Sequence, residues 1–78
     1  MRIKVLLRGF LVKYFDGEKE RVIELEDGLS AREVVERIGI PIEHKSFGFV
    51  AVNGMRVMID ERLKDGDELK IYPRLSGG

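Results

Sequence analysis

Only one segment of this chain has both the spacing and the punctuation of a helix, and it is short. Ser30 precedes Ala31, Val34, Val35 and Ile38, which recur at helical intervals. Glu33 stands three residues after Ser30, where each side chain can bond the other's backbone amide in a capping box. Leu29 and Val34 hold the staple positions around that cap. Gly39 suits the C-terminal cap and Pro41 bars continuation. The remaining apolar residues fall in short alternating runs. One helix against about five strands leaves few arrangements, and an α+β layer pair with the helix lying across one sheet face is the simplest.

The strands follow from period-two alternation. Residues 2–12 read as a first strand, with Ile3, Val5, Leu7 and Leu11 on one face and Leu6, Phe10 and Val12 on the other. Asp16-Gly17 marks a turn, and residues 21–25 return as a second strand. The intervening end, residues 13–20, is charged and expected to be mobile. After the helix and a loop at residues 43–48, residues 49–52 form a short strand. Asn53-Gly54 is a strong hairpin signal, and residues 56–59 pair back. Met55 and Met58 read as gap fillers around that hairpin. Leu63 reads as an apolar plug, and residues 68–72 form the last strand before Pro73. The crossover through the helix makes the last strand a parallel neighbour of the first. The expected core is Ile3, Val5, Leu7, Val35, Ile38, Val50, Val52, Leu69 and Ile71. The chain thus divides into a folded domain at 1–73 and a flexible tail at 74–78.

Composition excludes several classes of function. There is no Cys, which removes disulfides, thiolate metal sites and a Cys nucleophile. The single His, His44, excludes a multi-His metal centre and reads as a solvated loop residue. The acidic run from Asp60 to Glu68 lacks the ligand spacing of a calcium loop. Fourteen basic residues balance fourteen acidic ones, which argues against a general nucleic-acid binder. No run is long and apolar enough to span a bilayer, and the N-terminal residues do not read as a signal peptide, so a cytoplasmic protein is expected.

The sequence closes on Arg74-Leu75-Ser76-Gly77-Gly78. Two glycines leave the last carboxylate without a neighbouring side chain, so such a tail can thread a narrow channel. Residues 74–78 reach roughly 17 Å when extended, at about 3.4 Å per residue. With Val50-Ala51-Val52-Asn53-Gly54, Leu63-Lys64-Asp65-Gly66-Asp67 and Ile71-Tyr72-Pro73, this ending resembles the ubiquitin-like β-grasp sulfur carriers. These are the small subunit of molybdopterin synthase and the thiamine-pathway carrier. The family more usually has a second proline at position 74 and a small aliphatic at 75, where Arg74 and Leu75 stand here.

The resemblance implies a β-grasp fold of four to five strands and a carrier that is not itself an enzyme. Gly78 becomes the covalent site, with Gly77, Ser76, Leu75 and Arg74 as the tail that delivers it. A ubiquitin-activating-type enzyme would adenylate the carboxylate with its own ATP, and a persulfide donor would supply sulfur. A synthase such as the molybdopterin synthase large subunit would accept it. No bound cofactor or metal and no catalytic residue is implied for this chain. Leu6, Phe10, Val12 and Tyr72 are the expected partner-docking residues, on the sheet face away from the helix. Other readings share parts of this scheme: conjugation of Gly78 to lysines, sulfur carriage to thiamine or tRNA thiolation, and a non-covalent adaptor.

Overall fold

A computed structural model describes residues 1–75. Strand β1 is Arg2–Leu7, β2 Glu20–Glu24, β3 Phe47–Val52, β4 Met55–Val57 and β5 Glu68–Pro73; the helix, α1, is Ala31–Ile38. They form one mixed sheet in the order β2-β1-β5-β3-β4. β1 runs parallel to β5, in register Leu7↔Ile71, and the other neighbours are antiparallel. The last strand therefore sits in the centre of the sheet. This is the α+β layer pair that the single helix requires.

The helix begins as its sequence dictates. Ser30 accepts a hydrogen bond from the Glu33 amide, and the Glu33 carboxylate accepts from the Ser30 amide at 3.0 Å. Ala31, Val34 and Val35 join a buried cluster with Ile3, Val5, Leu7, Val50, Leu69 and Ile71. Leu63 belongs to it, as expected of a plug, while Ile38 and Val52 are only partly buried against it. Asn53 and Gly54 both adopt positive φ, the geometry of a two-residue turn whose twist matches its strands.

Residues 8–15 depart from the expected strand. Gly9 takes φ 56°, the chain leaves the sheet, and Gly9–Phe15 forms a 3₁₀ helix. This turns Leu11 and Phe15, four residues apart, into the core. The Asp16-Gly17 turn exists, but it closes the 3₁₀ helix instead of joining two strands. Residues 13–20 are thus anchored: the Arg21 guanidinium lies 4.8 Å from the Phe15 ring centre and donates to the Phe15 carbonyl at 3.1 Å. Met55 and Met58 are 72% and 78% exposed and fill no gap.

Candidate functional site

The end of β5 is where the fold hands over to the tail. β5 is bonded on both sides. The Arg8 amide donates to the Ile71 carbonyl at 3.1 Å, and the Arg74 amide donates to the Ser46 carbonyl at 2.9 Å. Pro73 is buried, whereas Arg74 and Leu75 are exposed. Beside it the β3–β5 register slips: Phe47 faces Pro73, Phe49 faces Tyr72, and Gly48 between them has no opposite residue. The calls on Ser76, Gly77 and Gly78 lie outside the described residues.

The sheet face away from the helix meets this root. One row across it reads Leu6, Lys70, Ala51, Arg56. The next row toward the tail holds Phe49 and Tyr72, whose rings stack with centres 4.5 Å apart and planes 12° from parallel. The Arg56 guanidinium covers the Phe49 ring at 4.3 Å. Three planar groups from β4, β3 and β5 are thereby stacked in strand order, an arrangement favoured by cross-strand proximity and by cation–π attraction.

The four expected docking residues separate. Leu6 and Tyr72 share the outer face, and their strands run parallel as expected, but the register pairs Leu6 with Lys70. Phe10 and Val12 leave that face because they belong to the 3₁₀ helix. Val12 packs partly against the core. Phe10 stays 48% exposed and lines an open groove of about 580 Å³ with His44, Ser46, Arg74 and Leu75. A neighbouring groove of about 600 Å³ is lined by Arg8, Phe49, Arg56, Tyr72 and the same Arg74 and Leu75. The tail root runs between the two. Sequence reasoning missed Phe49, Arg56 and Arg8; the alternation around Phe49 hinted at an outer position, but only the register brings it to Tyr72.

Charge is distributed unevenly around this site. Ion pairs among the described residues engage the Met1 amine, Arg2, Lys4, Arg21, Arg32 and Arg37, but not Arg8, Arg56, Lys70 or Arg74. No acidic side chain lines either groove. Asp65, Asp67 and Glu68 lie at the opposite end of the sheet, where Asp65 accepts from the Arg2 amide. A chain of zero net charge therefore presents a local cationic, aromatic patch around its tail root.

A family model described as Mut7-C ubiquitin matches residues 2–77. The chain belongs to this ubiquitin-like family. Among solved structures, it is 30% identical to a Pyrococcus furiosus protein assigned as molybdopterin converting factor subunit 1, covering 96% of this chain and 99% of that one, with a TM-score of 0.76. Identity is 28% to a chain in the BexX/CysO complex of Amycolatopsis orientalis, over 97% of this chain and 99% of that one, with a TM-score of 0.66. A chain in the Helicobacter pylori complex of molybdopterin-converting factor subunits 1 and 2 shares the fold at 23% identity, full coverage of both chains and a TM-score of 0.63. The resemblance to ubiquitin-like β-grasp proteins thus holds at the level of family and fold. Among the described residues, no helix is long and apolar enough to cross a membrane.

Proposed function

We propose that this protein is a sulfur carrier whose Gly78 carboxylate is converted to a thiocarboxylate, with molybdopterin synthesis as the receiving pathway. A carboxylate is an anion at neutral pH and a poor electrophile, so it must be activated first. A carboxylate oxygen attacks the α-phosphorus of ATP on a partner enzyme and pyrophosphate leaves. The terminal sulfur of a donor persulfide then attacks the acyl carbon and AMP leaves. A second thiol cleaves the remaining S–S bond, forming a disulfide with the donor and freeing the thiocarboxylate. This chain contributes the folded body that docks and the tail that reaches.

The observation that carries the reading is the 30% identity, over nearly the full length of both chains, to the Pyrococcus furiosus protein assigned as a converting-factor subunit. The geometry agrees with the task. The root leaves the central strand between two open grooves, beside Tyr72, Phe49 and Phe10, which supply apolar docking area. Arg8, Arg56, Lys70 and Arg74 surround that area without carboxylate partners among the described residues, which suits an acidic face on the enzyme that receives the tail. The complexes of the Amycolatopsis and Helicobacter relatives support a protein acceptor for this one.

Intact-mass analysis tests the proposal. Protein incubated with ATP, the adenylating enzyme of its host and a persulfide source should become heavier by one sulfur-for-oxygen exchange, and alkylation should trap the sulfur at Gly78. Gly78 joined to lysines with no thiocarboxylate would assign the protein to the modifiers. An unchanged mass in the host and in the reaction would overturn both readings.

A further inference from the structure

Two glycines from different elements close on Pro73, the last residue before the tail. On the β3 side, a Cβ added at Gly48 would lie 2.6 Å from the Pro73 carbonyl oxygen and 2.9 Å from that of Tyr72. Both are backbone atoms, so no side-chain rotation relieves the overlap. On the opposite side, Gly9 sits at φ 56°, and a Cβ there would lie 3.0 Å from Pro73 Cγ. The proline ring fixes its own φ as well. Rigid backbone therefore converges on one residue, and the next amide, that of Arg74, is tied to the Ser46 carbonyl at 2.9 Å.

The sheet's core does not demand such closeness. Leu69 and Ile71 already bury fully on β5, two and more residues earlier. What the close approach does fix is the line along which the chain departs. Fixing the first link of a tethered reactive group narrows the volume that its end must search, which raises the fraction of encounters in productive geometry.

We propose that Gly48 and Gly9 are positioning residues, a two-sided clamp on Pro73 that aims the tail, an inference that rests on reading Gly78 as the reacting group. Any side chain at Gly48 would push Pro73 from its seat, release Arg74 from Ser46 and let the tail leave over a wide cone.

The test compares Gly48→Ala and Gly9→Ala with Gly39→Ala. Gly39 also has positive φ, but its added Cβ meets nothing within 4 Å, so it caps α1 without touching Pro73. Hydrogen exchange should speed up about tenfold or more at the Arg74 amide in both clamp variants, with Leu69 and Ile71 amides unchanged. Adenylation by the host enzyme should show KM raised about tenfold with kcat within about twofold, a split that general destabilisation does not produce. Gly39→Ala should alter neither. Unchanged Arg74 exchange in a folded clamp variant would overturn the clamp. Faster exchange with unchanged KM would overturn its positioning role. If Gly48→Ala fails to fold, Gly9→Ala decides alone. If wild-type protein is not adenylated at all, the functional reading fails instead. The clamp is then judged by the spread of distances from a spin label placed at Leu75, which should widen in the variants, and an unchanged spread would overturn it.

Discussion

Truncating Phe15 to alanine should be among the most damaging single changes outside the sheet. Phe15 is 3% exposed and sits in the main core cluster, reached only because Gly9 diverts the chain out of the sheet. Removing a buried phenylalanine ring costs about 3–5 kcal/mol, the transfer energy of the ring plus the cavity it leaves. A chain of 78 residues has roughly 4–12 kcal/mol in total, at about 0.05–0.15 kcal/mol per residue. The variant should therefore lose about a quarter or more of its stability. Urea unfolding followed by far-ultraviolet circular dichroism measures it, and an unchanged m-value would keep the comparison two-state. Phe10→Ala supplies the contrast, because a ring 48% exposed on the same 3₁₀ helix should cost about 1 kcal/mol or less. If Phe15→Ala lost less than about 1 kcal/mol, residues 13–20 would be the mobile hairpin end that their charge suggests, and the account of this segment as part of the core would be wrong.

Three further outcomes are expected. Ser30→Ala should destabilise by about 1 kcal/mol through loss of the helix cap, without changing tail activation in the folded protein; denaturant unfolding and an adenylation assay check the two halves. The Glu26 carboxyl is held at about 2, below its ordinary 4.5, chiefly by the hydrogen bond from Arg37. Because its pKa is lowered on folding, its contribution is present above pH 4.5 and fades as pH falls toward 2, so the stability difference between wild type and Glu26→Gln should shrink over that window in acid titrations. Phe10→Lys should leave the melting temperature nearly unchanged and weaken binding to the adenylating enzyme; a collapse in melting temperature would show that Phe10 is part of the core.

The helix was legible because its signals are local. Ser30, Glu33, Leu29 and Gly39 each act within a turn or two, and the same is true of Asn53-Gly54. The parallel pairing of β1 with β5 was legible from connectivity, since a helix crossover carries the chain back over the sheet. Residues 8–15 were not, because their odd apolar positions continue a strand pattern already begun at Ile3. Two signals pointed elsewhere: Gly9 in a strand interior, and the four-residue interval from Leu11 to Phe15. That error displaced Phe10 and Val12 from the outer face. Beyond the outer position that alternation gives Phe49, the stack of Arg56, Phe49 and Tyr72 had no signature, since it arises from register across three strands and from the slip at Gly48.

Hanging the tail from β5 would have a mechanical consequence in the proposed carrier role. An edge strand is bonded on one side and opens at low free energy, so pulling on a chain attached to it would peel it away. β5 lies between β1 and β3, buries Leu69 and Ile71 completely, and keeps its last residues bonded through Arg8 and Ser46 on opposite sides. In the proposed role, a partner that drew the tail into a channel would pull against the central strand, bonded on both sides. The bond from the Arg74 amide to Ser46 is the last backbone tie to the sheet, and the stacked Tyr72, Phe49 and Arg56 lie beside it. In the proposed carrier role, binding energy gained at that surface would go into holding the carboxylate in place and not into rebuilding a frayed strand. Arg8, Arg56, Lys70 and Arg74 form a local cationic patch beside the tail root, whereas Asp65, Asp67 and Glu68 lie at the other end of β5, so the overall charge of zero does not describe the surface a partner would meet there.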